Sequence, residues 1–399
     1  MNTTIQARTS SHSPPGAPAR ALAPDLARGF MLLAIAFAHG PLFVVDIDRG
    51  PAVVNDITAF FHQLFVNNHA RPMFAFLFGY SLVQLMHRQT QRGSDWPGVR
   101  KLLRRRGWWL VAIGFLHTVL LVPLDILAIY GLAAVLLVGM LRRKDSTLLW
   151  TAGLLQVPAT AIVGFLMVYP LSEGISTYTV GTVSVAGQSP WELLVTRIQI
   201  WPFSLPFAVL TVVPGVLLGI WAARRRFLDE PARHRGFLIR VSVVTTVLSV
   251  LGSVPAGLIQ TGLWTDPPAT AVWTAAFAQP LTGYLGGIGM AAISGLFALW
   301  AGRRRNGVIT AIQALGQRSM TFYIFQSIVF VALFYPYGLG LQDDLGLAGA
   351  TGVAAAAWMI SILLADVMRR VGHRGPAEIL LRRLAYRRPR GGHGEPGPR

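Results

Sequence analysis

The sequence predicts an all-α, polytopic integral membrane protein of about ten transmembrane helices with both termini in the cytoplasm. Three observations carry that prediction. Of 399 residues, 53% are hydrophobic and 13% charged, about half the charged share of a soluble domain. The apolar residues gather into runs of about 20, the length at which a helix spans a hydrocarbon core. Arginine clusters separate alternate runs, so threading the chain through a bilayer puts every basic cluster on one side. The same clustering accounts for the formal charge of +18 as a positive-inside pattern, not a nucleic-acid face.

Residues 1–20, rich in Ser, Pro, Ala and Thr without an apolar period, are expected to be a disordered cytoplasmic tail. A single transmembrane helical domain follows over 21–386, and 387–399 form a second, basic disordered tail. The first span covers about 26–45. Residues 20–38 also imitate a signal peptide, but the long polar tail and later spans suit a retained helix. Asp46, Asp48 and Asp56 then mark an outer loop, and 55–69 read as an interfacial helix. Span two (about 70–87) leads to the basic run Arg88 to Arg106 on the inside. Spans three (107–122) and four (125–141) form a hairpin about Pro123, closed inside by Arg142, Arg143 and Lys144. Span five (147–169) precedes an outer Ser/Thr/Gly loop over 170–190. An amphipathic stretch, 191–204, is expected before span six (206–223), which ends at Arg224 to Arg226. Spans seven (237–262), eight (274–300), nine (319–336) and ten (346–367) complete the set, with Arg303 to Arg305 and the residues from Arg369 inside. The pattern contains no internal repeat of the kind that builds inverted-repeat transporters.

With no cysteine, disulfides, cysteine-ligated metals and thiol nucleophiles are excluded. Chemistry must come from the polar residues placed in apolar runs, which are costly there and default to functional candidates. Asp25, Arg28 and His39 lie in the first span. Arg28 and His39 are eleven steps apart, about three turns plus 20°, so they share a helix face about 16 Å apart along the axis and are expected to face one cavity. Asp25 is close enough to pair with Arg28. Arg71, at the outer end of span two, suits an anionic or carbonyl group. His117, Asp125 and Tyr130 form a second constellation in the hairpin, where Asp125 also suits the N-terminus of the next helix. Span nine carries Arg318, Ser319, Thr321, Tyr323, Gln326 and Ser327. His62 and His69, seven apart, share a face if helical, but no carboxylate at helical spacing completes a metal site, and none is expected. Glycines 283, 286, 287 and 289 lack the strand of a dinucleotide fingerprint and suit close helix packing.

Five segments, Asp25-Leu-Ala-Arg28-Gly29, Phe74-Ala-Phe-Leu-Phe-Gly79-Tyr80, Asp125-Ile-Leu-Ala-Ile-Tyr130, Leu315-Gly-Gln-Arg318-Ser-Met-Thr321-Phe-Tyr323 and Gly375-Pro-Ala-Glu378-Ile-Leu-Leu-Arg382-Arg383, resemble the successive signatures of the bacterial YeiB family, a domain of unknown function. The resemblance spans about 25–386. Ile379 stands where many members have tryptophan. That family is similar in turn to transmembrane acyltransferases, including acyltransferase family 3 and the heparan-glucosaminide acetyltransferase type. In acyltransferase family 3 an arginine and a histidine with ten residues between them mark the site on the first helix. Arg28 and His39 have that separation, whereas many YeiB relatives place asparagine near the histidine position.

The resemblance implies a multi-pass protein of the bacterial cytoplasmic membrane that moves an acetyl or similar acyl group from an acyl-CoA-type donor to a hydroxyl or amine of an envelope glycan or lipid. His39 would be general base or acyl carrier, with Arg28 and Asp25 positioning the donor or fixing the helix. Arg71, His117, Asp125, Tyr130, Arg318, Tyr323 and Gln326 would line the substrate path. Arg104 and Arg105 would meet the phosphates of the donor. The alternative is a proton-coupled transporter or exporter that uses the same polar groups.

Overall fold

In the computed structural model, residues 21–183, 189–304 and 306–386 are described, and their regular secondary structure is entirely helical. The two expected tails and Arg305 lie outside the described residues. In order the helices are α1 (Leu22–His39), α2 (Ala52–Phe65), α3 (Ala70–Thr90), α4 (Trp96–Leu120), α5 (Leu127–Leu137), α6 (Asp145–Ser172), α7 (Thr177–Val180), α8 (Pro190–Arg224), α9 (Arg235–Gln260), α10 (Ala269–Arg303), α11 (Gly307–Gln317), α12 (Ser319–Phe334), α13 (Leu347–Arg370) and α14 (Pro376–Ala385). Short 3-10 turns extend α1 to Phe43 and α5 to Arg142.

Six helices among the described residues are long and apolar enough to cross a membrane: α1 with its extension, α6, α8, α9, α10 and α13. Extended α5 and α12 are shorter apolar helices, and α3 and α4, of 21 and 25 residues, fall on two more of the expected spans. The outward faces are apolar, as a lipid-facing surface requires: Trp150 is 80%, Leu154 72% and Leu251 64% exposed.

Two expectations need correction. The amphipathic stretch 191–204 is not separate from span six, because α8 runs unbroken for 35 residues through Pro202, Pro206 and Pro214. Proline removes a backbone donor, but in an apolar bundle a neighbouring helix can satisfy the freed groups. Here Tyr284 of α10 does so: its hydroxyl accepts from Gly215 N at 2.7 Å and donates to Thr211 O at 3.2 Å, bridging one turn of α8 beside Pro214. The second correction concerns 55–69. α2 stops at Phe65, Asn68 adopts φ 60°, and α3 begins at Ala70. His62 and His69 therefore belong to different elements and share no helix face.

The bundle closes through small residues. α3 and α8 pack so tightly that a Cβ at Gly79 would collide with Val216 O, and one at Gly219 with Phe76 O. The glycines of α10 serve the same end, with Gly286 against His69 and Ser249, and Gly287 against the start of α3. The main core joins α1, α3, α4, α5, α6, α8, α10, α11 and α12 with single residues of α13 and α14, and Tyr80, Tyr130, Phe322 and Tyr323 are among its buried aromatic residues. A second core gathers the end of α1, the end of α12, α13 and Tyr178 of α7. α11 and α14 are short helices that the hydropathy pattern does not announce, and both pack against the elements bearing candidate residues.

Candidate functional site

Four candidate residues from four parts of the chain meet at one place. α4 delivers His117, the turn before α5 delivers Asp125, α12 delivers Tyr323, and the end of α1 delivers His39. Asp125 is held by the helix it precedes, with Oδ2 accepting from Ala128 N at 2.5 Å. Gly114 makes room for this turn, since a Cβ there would strike both Asp125 and Ala128. His117 Nδ1 lies 3.2 Å from Asp125 Oδ1. On the opposite side of the ring, Nε2 lies 2.9 Å from Ser327 Oγ. The Tyr323 ring stacks on His117 at a centroid distance of 5.0 Å and meets His39 edge-on at 6.2 Å. The Tyr323 hydroxyl donates to Leu124 O at 3.2 Å and so ties α12 to the α4–α5 turn. His117, Asp125, Tyr323 and Ser327 are all buried, whereas His39 is half-buried. Gln326 is buried on α12, and both of its amide atoms lack a hydrogen-bond partner.

The other candidates lie in separate networks. Arg28 donates to Asp25 Oδ1 at 3.1 Å and to Ser81 Oγ of α3 at 2.7 Å, and Gln317 of α11 donates to Asp25 Oδ2 at 3.0 Å. Arg28 and His39 thus touch different groups, one on α3 and the other on α12. Arg71 donates to Thr211 Oγ1 at 3.2 Å and Asn68 Oδ1 at 3.1 Å, and its carbonyl accepts from Tyr130 at 3.0 Å. A narrow crevice beside Arg71 is lined by Asn68, Gln156, Thr160, Thr211 and Tyr284. Arg318 is spent on the backbone, donating to His373 O at 2.6 and 3.1 Å and to Ala314 O at 3.0 Å. Trp96, Pro97, Arg100, Lys101 and Arg104 line an open basic groove at the start of α4, and Arg142 lies over the Trp96 ring at 5.4 Å. Arg105 is half-buried and does not line that groove.

The histidines before α3 have neutral partners. His62 meets Tyr178 at 2.7 Å and Thr351 at 3.1 Å, and His69 meets Ser249 at 2.6 Å. Among the described residues no three metal-ligating side chains converge.

Ser327 is the residue of the main cluster that the sequence gives least reason to select. It reads only as one of several hydroxyls in an apolar run, and its contact with His117 closes across 210 residues. Its one local signal is its place four residues after Tyr323, on the same helix face.

Residues 222–388 match a family described as "Protein of unknown function (DUF418)". The match takes in Tyr323, Gln326 and Ser327, whereas His39, His117 and Asp125 precede it. The chain is also similar to "Uncharacterized protein YxaH" of Bacillus subtilis (strain 168), 26% identical over 345 residues and 81% of both chains. It is 25% identical to "Uncharacterized protein YeiB" of Escherichia coli (strain K12) over 332 residues, 79% of this chain and 81% of that one. Over residues 222–388 the chain is thus similar to the DUF418 family and over most of its length to YxaH and YeiB, and its all-helical fold with six candidate spans among the described residues is that of a membrane protein.

Proposed function

We propose that the protein is a membrane-bound acyltransferase that moves an acetyl or similar acyl group from an acyl-CoA-type donor to a hydroxyl or amine of an envelope glycan or lipid. The carrying observation is the buried pairing of His117 with Asp125, 3.2 Å apart, with Tyr323 in ring contact with both His117 and His39. Acyl transfer needs a base to take the acceptor's proton and an acid to return one to the leaving group. Two imidazoles that each contact the Tyr323 ring suit that chemistry, with His39, the more exposed of the two, next to the acceptor.

In this reading ten helices cross the bacterial cytoplasmic membrane with both termini in the cytoplasm. The groove at Trp96, Arg100, Lys101 and Arg104 then opens on the cytoplasmic side. Its guanidinium and ammonium groups suit the phosphates of the donor, and Trp96 offers a face for a planar base. Arg71 and its crevice suit a carbonyl or anionic group of the acceptor. Arg28 and Asp25 fix α1 against α3 and α11.

The test is acyl transfer from labelled acetyl-CoA to an envelope extract by the purified full-length protein and by His39→Ala. Transfer by the wild type and its loss in the variant support the reading. Equal transfer removes His39 from the mechanism. Proton-dependent solute flux in proteoliposomes without any covalent product points instead to the transporter alternative.

A further inference from the structure

We propose that Ser327 is the nucleophile that carries the acyl group, with His117 as its base and Asp125 as the residue that positions His117. The proposal rests on the acyl-transfer reading and adds a covalent intermediate to it.

Ser327 Oγ is 2.9 Å from His117 Nε2, and His117 Nδ1 is 3.2 Å from Asp125 Oδ1. The two atoms approach at ion-pair distance, without the alignment of a hydrogen bond; neither His117 Nδ1 nor Asp125 Oδ1 has a hydrogen-bond partner, and both are buried. A carboxylate facing Nδ1 holds the imidazole with its proton on Nδ1, which turns the Nε2 lone pair toward the serine. The hydroxyl has a competing acceptor in Tyr323 O, but that oxygen is farther away, at 3.3 Å. Asp125 and His117 are also fixed from behind. Ala128 N binds the second oxygen of Asp125, and Tyr323 stacks on His117. Such a serine–imidazole–carboxylate relay is recognised by geometry and roles, not by fold.

The chemistry balances with a thioester donor and a hydroxyl or amine acceptor. Ser327 Oγ attacks the thioester carbonyl as its proton passes to His117 Nε2. The C–S bond breaks, and the thiolate leaves with that proton as a thiol, so that an ester remains on Ser327. The acceptor then attacks the ester carbonyl and gives its proton to His117. The C–Oγ bond breaks, and Ser327 recovers its proton. His39, in edge-on contact with Tyr323, faces the acceptor in the second half.

The test uses two probes on the full-length protein in detergent. Diisopropyl fluorophosphate forms an Oγ–P bond and expels fluoride, and needs no natural donor. Peptide mapping is expected to find the adduct on Ser327, with labelling slowed about a hundredfold in His117→Ala. Asp125→Asn is expected to slow labelling and to change its pH profile, which loss of a purely structural contact would not do. Ser327→Cys, checked for a folded elution profile, is expected to lose the organophosphate adduct at this position and to be alkylated there by a thiol reagent. Absence of an adduct on Ser327, or equal labelling in wild type and His117→Ala, overturns the proposal. The second probe is acetyl-CoA with acid quenching. An acetyl group on the 319–334 peptide supports both readings. An acetyl group on His39 alone overturns the serine and leaves acyl transfer standing. Organophosphate labelling of Ser327 without acetyl-CoA consumption upholds the serine and removes this donor.

Discussion

Glu378 of α14 grips Thr321 in the first turn of α12. Its carboxylate accepts from the Thr321 hydroxyl at 2.5 Å and from the backbone N–H groups of Met320 and Thr321 at 2.9 and 3.2 Å. Thr321 Oγ1 in turn accepts from Ala377 N at 3.1 Å. A carboxylate at a helix N-terminus satisfies orphan donors and complements the helix dipole. Two segments that the sequence sets apart, 315–323 and 375–383, are thus one contact, and it fixes the helix that carries Tyr323 and Ser327.

Replacing Glu378 by Gln removes a charged acceptor from three donors. The expected cost is about 1.5–3 kcal/mol, read as a lower unfolding midpoint in detergent. Because α12 loosens as a unit, acyl transfer is expected to fall with it. Unchanged thermal stability would show that α14 does not hold α12.

The Tyr284 hydroxyl sits in the backbone ladder of α8, between Gly215 N and Thr211 O. Tyr284→Phe keeps the ring and deletes both bridging bonds inside an apolar bundle, where no water replaces them readily. The loss is expected at about 1–3 kcal/mol, with faster amide exchange confined to the turn around Pro214. Exchange spread evenly over the chain would contradict this local account.

The helices were legible because hydropathy acts locally, and six of the ten stretches read as spans fall on helices long and apolar enough to cross a membrane. The continuity of α8 was not, since its repair by Tyr284 comes from a helix about 70 residues away. His39, His117, Asp125 and Tyr323 stood out as polar groups in apolar runs, and the fold brings these four together. Arg28 and Arg71 stood out for the same reason, yet they lie in other networks, because burial cost signals a partner without saying which one. Ser327 was obscured by chemistry, as a hydroxyl in an apolar helix ordinarily satisfies itself on the preceding turn. Asp48 and Asp56 were legible only as a loop marker. Burial, then the charges of Asp46 and Asp56, raise the Asp48 carboxyl above its ordinary value.

Asp25 is 1% exposed and is held by Arg28 and Gln317. Arg28→Ala takes away one cationic partner of this buried carboxylate and is expected to destabilise the fold. Asp25→Asn paired with Arg28→Ala is expected to recover part of that loss, since the amide no longer needs a counter-charge. A double-mutant cycle in thermal unfolding measures the coupling. Strict additivity of the two changes would mean that the pair is not energetically linked.

The start of α8 carries a pH-dependent cap. Ser189 Oγ accepts from Glu192 N at 3.2 Å, while the Glu192 carboxylate accepts from Ser189 N at 2.8 Å and Ser189 Oγ at 2.9 Å. These bonds, the backbone one foremost, hold the Glu192 carboxyl below its ordinary value of 4.5. A carboxyl lowered in the folded state binds its proton later than in the unfolded chain. Its contribution is therefore complete above 4.5 and is lost as the pH falls through the lower folded value. Amide exchange in the first turn of α8 is expected to be protected at neutral pH and to lose that protection in this acidic window. Glu192→Gln should remove the pH dependence, because the amide does not titrate. If exchange in that turn follows the same acid profile in wild type and variant, another group governs the opening of the helix end.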